Sequence, residues 1–192
     1  MCKLIEVSGT PDAGKTTTID MVKSYLLSRN FPVIVIGEAG GKTLPPKNSR
    51  KSLLFNIWVG TSAAESILST KKKCKNNEII IVDRGLIDYQ FWVYYYLKKK
   101  KCSKLEAEEA LNLDIFTDKN LLPDLFIGMT TSVDEAIKRS RSKNNTVSLE
   151  FHNKVFTDFF KTVTVPKHLL DTTYLSPEET TKKFLELIEI HC

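Results

Sequence analysis

Five short apolar runs recur along the chain, and segments with helical spacing separate them. The runs are KLIEV, PVIVIG, EIIIVD, PDLFIGM and KHLLD, at residues 3–7, 32–37, 78–83, 123–129 and 167–171. Their interiors hold few polar residues, which is typical of strands buried on both faces of a parallel sheet. The alternation predicts an α/β fold, a five-stranded parallel sheet with helices on both faces. A length of 192 residues suits one domain, and we predict a single domain spanning 1–192.

The first run leads into GTPDAGKT at residues 9–16, which matches the G-x-x-x-x-G-K-[ST] pattern of a P-loop. Its two glycines let the backbone curl so that consecutive N–H groups point at phosphate oxygens. Lys15 adds positive charge near the β- and γ-phosphates, and the Thr16 hydroxyl can coordinate Mg²⁺. The helix that begins here points its positive end at the same phosphates. The predicted site for ATP and Mg²⁺ comprises Gly9, Asp12, Ala13, Gly14, Lys15, Thr16 and Thr17.

Charged residues beyond the P-loop indicate what is done with the phosphates. Asp83 ends the third apolar run, where its carboxylate can reach Mg²⁺ through water, and Arg84 follows at once. Arg139, Arg141 and Lys143 follow the fourth run and its helix. We predict that they belong to a short lid around 139–149, which excludes water and neutralises charge on the transferring phosphoryl group.

Other classes of P-loop protein do not fit the sequence. A guanine-nucleotide switch needs an NKxD-type motif that reads the base, and the chain has none. A motor of the AAA type needs a second helical domain, for which 192 residues leave no room. A small kinase remains as the interpretation.

Composition and charge indicate the surroundings of the protein. Hydrophobic residues make up 42% and charged residues 27%, as in ordinary soluble proteins. No apolar run is long enough to span a membrane, and the N-terminus runs directly into the first strand, so we expect a cytoplasmic protein. The four cysteines form no CxxC pattern and are expected to be free thiols in a reducing compartment. Lysine runs at 71–75 and 98–104 are expected to be solvated helix ends, so neither nucleic acid nor a membrane is an expected partner.

Over nearly its whole length, the sequence resembles the thymidylate kinase family and, more loosely, the deoxynucleoside kinases. The segments that carry the resemblance are, in order, GTPDAGKTT, GEAGGKT, SLLFNIW, DRGLIDYQFW, PDLFIGMTTSVDEAIKRSRSK and LDTTYLSPEE. The resemblance implies a P-loop NTPase fold of the nucleotide-kinase type. It also implies Mg²⁺-dependent transfer of the ATP γ-phosphoryl group to a nucleoside monophosphate. A homodimer is implied too, and the FWVYYYL segment at 91–97 offers a surface for it, unless those residues are core.

The resemblance also implies roles for individual residues. Lys15 and Thr16 would hold phosphates and metal, while Glu38 and Asp83 would lie near Mg²⁺ and the acceptor. The remaining roles are Arg84 on the acceptor phosphate, Arg139 and Arg141 as lid charges, Phe55 stacked on the acceptor base, Tyr89 and Gln90 lining the acceptor pocket, and the loop with Thr173 against the donor adenine.

The sequence departs from the family pattern mainly on the acceptor side. Gly37 and Val59 stand where the family has arginines, and Gly85 replaces an aromatic residue. The lost positive charge keeps a second interpretation open, a deoxynucleoside kinase in which Glu38 is the base that takes a proton from the acceptor hydroxyl. A third interpretation, from another class, is a regulatory module that binds ATP without efficient transfer.

Overall fold

The computed structural model describes residues 2–38, 52–140 and 146–191. Strands and helices alternate through these residues. The strands are β1 (Lys3–Gly9), β2 (Val33–Ile36), β3 (Ile79–Asp83), β4 (Leu125–Thr130) and β5 (Lys167–Asp171). The helices are α1 (Lys15–Ser28), α2 (Leu53–Lys73), α3 (Leu86–Lys98), α4 (Lys104–Leu111), α5 (Asp114–Thr117), α6 (Val133–Arg139), α7 (Thr146–Thr162) and α8 (Pro177–His191).

The strands form one parallel sheet in the order β2-β3-β1-β4-β5. In the register of the central strand β1, Val7 lies opposite Asp83 of β3, and Gly9 lies opposite Met129 of β4. The chain therefore leaves β1 and β3 at the same edge of the sheet, and the P-loop and Asp83 meet there. The predicted five-stranded parallel sheet is confirmed.

Helices cover both faces of the sheet, as predicted. On one face, α1 and α8 pack their buried residues, Ile19, Val22, Phe184 and Ile188 among them, against the sheet. On the other face, α2, α3 and α7 bury a second set of apolar side chains. The continuous apolar character of the strands follows from this arrangement, because both of their faces are covered.

The FWVYYYL segment lies in α3 and contributes mainly to the core. Phe91, Val93, Tyr95 and Tyr96 are all buried. The Phe91 ring contacts the ring of Phe156 in α7 edge to face, with centroids 5.2 Å apart. Because this surface is used inside the monomer, the predicted homodimer stays a prediction.

Gly60 lies in the middle of α2 because two aromatic rings pack directly against its backbone. A Cβ atom at this position would lie 2.7 Å from the Tyr89 ring and 2.8 Å from the Phe116 ring. Those two rings stack on each other with centroids 3.8 Å apart. The glycine therefore allows α2, α3 and the short α5 to approach closely.

The expectation of four free thiols is wrong for one pair of cysteines. Cys2, just before β1, forms a disulfide with Cys74, just after α2, across 72 residues of sequence. Sequence spacing could not reveal the pair, because the parallel fold alone brings these two chain positions together. Cys102 is free and partly buried, and Cys192 lies outside the described residues. In the described part of the chain, no helix combines the length and the apolar character needed to cross a membrane.

Candidate active site

The P-loop connects the end of β1 to the start of α1, and its backbone requires glycine at two positions. Gly9 has a φ of 150°, and a Cβ atom there would collide with the carbonyl oxygen of Met129. Gly14 has a φ of 85°, in the left-handed region that favours glycine. The glycines of the motif therefore shape the loop itself, as the sequence predicts.

Lys15 is buried inside the P-loop. Its Nζ donates hydrogen bonds to the carbonyl oxygens of Thr10, at 2.7 Å, and Gly9, at 3.3 Å. Burial, and then the charge of Arg84, lower the pKa of the Lys15 ammonium to about 8. The side chain is thus held over the loop, where a phosphate can replace the carbonyl oxygens as its partner.

Thr16 and Asp83 form the oxygen pair predicted for a metal ion. The Thr16 hydroxyl donates to Asp83 Oδ2 at 3.3 Å. The second carboxylate oxygen, Oδ1, is buried and has no hydrogen-bond partner among the described residues. Burial raises the pKa of Asp83, and the charge of Arg84 opposes that effect. A hydroxyl and a carboxylate with an unpaired oxygen are ligands that suit Mg²⁺.

A large cavity of about 840 Å³ lies beside the P-loop, on the side of β4 and β5. The predicted nucleotide-binding residues Asp12, Ala13, Gly14 and Thr17 line it. Thr173 lies in the connection that follows β5, where its hydroxyl accepts a hydrogen bond from the Ser132 backbone at 2.9 Å. Because P-loop residues line it, we refer to this space as the donor cavity.

Arg139 lies at the end of α6 and lines this donor cavity. Its guanidinium donates to Glu135 Oε1 at 2.9 Å and to the Thr172 carbonyl oxygen at 2.8 Å. The bond to Glu135 lies within α6, and the bond to Thr172 connects Arg139 to the segment after β5. Arg141 and Lys143, and with them the centre of the predicted lid, lie outside the described residues.

A second cavity, of about 220 Å³, lies on the opposite side of the P-loop, near β2 and β3. The residues that line it are Glu38, Phe55, Asn56, Val59, Arg84, Asp88, Trp92 and Tyr96. Three of these, Glu38, Phe55 and Arg84, were predicted from the sequence. We refer to this space as the acceptor cavity.

The structure does not bring Tyr89 and Gln90 to the acceptor cavity. The Tyr89 hydroxyl donates to the Ala110 carbonyl oxygen at 2.7 Å, and its ring packs on Phe116 in the core. Asp88, Trp92 and Tyr96 line the cavity instead. They lie four residues apart on one face of α3, and this spacing is the signal that could have identified them.

Arg84 brings a positive charge into the acceptor cavity. Its φ is 63°, which is uncommon for a residue other than glycine, and its backbone N–H donates to the Val7 carbonyl oxygen at 2.9 Å. Its Nε lies 3.5 Å from Glu38 Oε2. Burial lowers the pKa of the guanidinium, but nearby carboxylates, Asp88 first, raise it by more. Arg84 is therefore a firmly charged group inside the acceptor cavity.

His152 of α7 is a buried residue near the site that sequence reasoning missed. Its ring lies 5.0 Å from the Phe91 ring and 5.7 Å from the Trp92 ring, centroid to centroid. Within the described ranges, its Nδ1 has no hydrogen-bond partner. Burial, and then the positive charges of Lys15 and Arg84, lower its pKa to about 3. The imidazole is therefore neutral across the physiological range.

A P-loop at the end of the central strand, with a donor cavity on one side and a smaller cavity on the other, is an arrangement that suits an ATP-dependent nucleotide or nucleoside kinase. The sequence is similar to those of thymidylate kinases. It is 28% identical, over an alignment of 210 positions, to the thymidylate kinase of Rickettsia bellii (strain OSU 85-389), with 96% of each chain covered. It is 26% identical over 176 residues to that of Thermoanaerobacter sp. (strain X514), covering 84% of this chain and 83% of the relative.

The fold is also that of a solved kinase. The deoxyadenosine kinase from M. mycoides with bound dATP superposes with a TM-score of 0.73 at 19% sequence identity. The superposition covers 97% of this chain and 99% of that one. No protein-family model matches the chain.

Proposed function

We propose that the protein transfers the γ-phosphoryl group of ATP, bound with Mg²⁺, to a nucleoside monophosphate. The observation that carries the proposal is the Arg84 guanidinium, charged and largely buried in a cavity across the P-loop from the donor cavity. Arginine suits phosphate because its planar fork can donate two parallel hydrogen bonds. The relatives named thymidylate kinases support an acceptor of this class.

On the donor side, the P-loop backbone and Lys15 would hold the β- and γ-phosphates. Thr16 and Asp83 would hold Mg²⁺, which when bound neutralises negative charge on those phosphates. Arg139 would add a positive charge to the lining of the donor cavity. The chain's contribution to catalysis is then mainly alignment of the two substrates and stabilisation of charge. The lid residue Arg141 stays a prediction.

A nucleoside is the second candidate for the acceptor, and the position of Glu38 favours it. This carboxylate lines the acceptor cavity and is 3.5 Å from Arg84 Nε. A nucleoside hydroxyl is a poor nucleophile, so a carboxylate that takes its proton accelerates transfer. A monophosphate brings its own negative oxygen and gains nothing from such a base.

The test is ADP formation from Mg·ATP with the purified protein, against a panel of nucleosides and nucleoside monophosphates. Turnover with monophosphates supports the proposal, and turnover with nucleosides alone supports the second candidate. Binding of ATP without turnover on any member of the panel would contradict both and support a regulatory module.

Two variants separate the candidates further. For a monophosphate acceptor, we expect Arg84→Gln to lower kcat/KM for the acceptor by roughly 100-fold or more, and Glu38→Gln to change it by less than about tenfold. For a nucleoside acceptor, Glu38→Gln should lower kcat by roughly 100-fold or more. The matched controls are Arg29→Gln and Glu186→Gln, which remove the same charges far from the acceptor cavity.

A further inference from the structure

Glu6 is a buried carboxylate of β1 that replaces a missing helix cap. It is 1% exposed. Its Oε1 accepts hydrogen bonds from the backbone N–H groups of Gly85, at 3.0 Å, and Asp88, at 2.7 Å, and its Oε2 accepts from Ile87 at 3.0 Å. These groups belong to the N-cap residue and the first turn of α3, where N–H groups have no partner within the helix.

The cap has to come from another element because Gly85, the N-cap residue of α3, has no side chain. Serine, threonine or aspartate at that position would normally accept from the second or third N–H of the helix. Glu6 does this from the neighbouring strand. Its pKa is raised to about 7, chiefly by burial, with the charge of Asp88 acting in the same direction and the backbone N–H groups opposing it.

Glu6 and Gly85 also fit each other sterically. A Cβ atom at position 85 would lie 2.7 Å from Glu6 Oε2 and 2.8 Å from Glu6 Cδ. Any larger residue at 85 would displace the carboxylate from the helix terminus. By resemblance, an aromatic residue is expected at position 85. Glycine stands there instead, and it leaves the space that the Glu6 carboxylate occupies.

The start of α3 carries the charged wall of the acceptor cavity. Arg84 comes immediately before Gly85 and is held with a φ of 63°. Asp88 lies in the first turn, where its carboxylate also accepts a hydrogen bond from the Ser8 hydroxyl. Trp92 and Tyr96 follow on the same helix face. The orientation of this first turn therefore sets the position of the cavity's guanidinium relative to the P-loop.

We propose that Glu6 is a positioning residue for the acceptor, which it serves by fixing the first turn of α3 and thereby Arg84. The proposal rests on the proposed function, because it takes the cavity around Arg84 as the acceptor site. Glu6 contacts neither cavity directly. Its loss should therefore change the kinetics of the acceptor much more than those of ATP.

The first test is Glu6→Gln, assayed with the best acceptor from the panel. The amide keeps the volume but presents an NH₂ group to at least one backbone N–H, donor against donor. We expect the KM for the acceptor to rise by roughly 10- to 100-fold, the range for a lost hydrogen bond to a charged group, with less than about a twofold change in the KM for ATP. The matched control is Glu106→Gln, which removes a carboxylate that accepts the Ser103 backbone N–H at the start of α4, away from both cavities.

The second test is a double-mutant cycle with Glu6→Ala and Gly85→Ala. Alone, Gly85→Ala should raise the KM for the acceptor by about tenfold or more, because the methyl group displaces the carboxylate. In the Glu6→Ala background, it should add less than about a twofold change, because the clash is gone. Gly85→Ala alone still tests the proposal if a Glu6 variant does not fold.

The outcomes distinguish this proposal from the proposed function. If the wild type transfers phosphate but Glu6→Gln and Gly85→Ala leave the KM for the acceptor unchanged, the positioning role is refuted and the kinase function stands. Equal rises in the KM for ATP and for the acceptor would also refute it, as would additive effects in the cycle. If the wild type transfers phosphate to no member of the panel, the proposed function fails and the positioning role fails with it.

Discussion

Acidification should change the stability contributions of two buried groups, His152 and Glu6, in opposite directions. The pKa of His152 is lowered from its ordinary 6.5 to about 3, by burial first and then by Lys15 and Arg84. A group whose pKa is lowered by folding contributes its full stability at pH values above its pKa in the unfolded chain. That stability is lost as the pH falls toward the pKa in the folded protein. Because the imidazole stays neutral in the folded protein, acidification from about pH 7.5 to 4.5 should lower the free energy of unfolding by about 3 kcal/mol.

Glu6 has the reverse sign. Its pKa is raised from 4.5 to about 7 by burial, so its contribution to stability is fully present below pH 4.5 and is lost as the pH rises through about 7. Over the same interval, from about pH 7.5 down to 4.5, protonation of Glu6 should raise the free energy of unfolding by about 3 kcal/mol. The two contributions nearly cancel in the wild type, so its stability hides both titrations.

Single variants should expose them. We would measure urea unfolding of the wild type, His152→Phe and Glu6→Gln at several values between about pH 7.5 and 4.5. Phenylalanine suits the site because rings of Phe91 and Trp92 surround it. Relative to the wild type, His152→Phe should gain about 3 kcal/mol on acidification and Glu6→Gln should lose about as much.

The double variant is the internal control, since it should return to the wild-type pH dependence. Single variants whose unfolding free energies run parallel to that of the wild type would refute the reasoning. So would two single variants that change in the same direction.

Two further predictions concern the P-loop and the disulfide. Lys15→Ala should lower turnover by at least ~10²-fold, which is the effect of losing one key electrostatic donor. The control, Lys23→Ala on the exposed face of α1, should leave turnover unchanged. Wild-type turnover of Lys15→Ala would contradict the phosphate-loop assignment. Cys74→Ser should lower the free energy of unfolding by roughly 4 kcal/mol, because the Cys2–Cys74 link closes a loop with a sequence separation of 72 residues. Cys102→Ser is its control, and an unchanged urea midpoint for Cys74→Ser under non-reducing conditions would count against the stabilising role.

The fold was predictable because its signals are local. A strand buried on both faces needs a continuous apolar run, and the P-loop needs glycine at positions that the structure holds at a φ of 150° and 85°. Both requirements are written in a few consecutive residues. A helix as short as α5 has no such signal, because four residues are too few to show helical periodicity.

The acceptor side was less predictable because it depends on how helices pack. The sequence indicates that α3 is near the cavity but not which of its faces points inward, and so Tyr89 was chosen where Trp92 and Tyr96 line the space. Glu6 reads as an ordinary polar residue within a strand until the start of α3 is placed beside it. The Cys2–Cys74 pair was missed for the same reason, since its two positions meet only in the folded sheet.

The strand order has a consequence for protein engineering. Among the described residues, those that line the acceptor cavity all lie between Glu38 and Tyr96 in the sequence, whereas those that line the donor cavity come before and after that stretch. This interval can be treated as an exchangeable cassette, with crossover points in the connections before β2 and after α3. Two contacts connect this stretch to β1 and the residue before it: Glu6 accepts from the Gly85 backbone, and Cys2 forms the disulfide with Cys74. A chimera that imports the stretch from a related kinase should therefore also import the residues at positions 2 and 6.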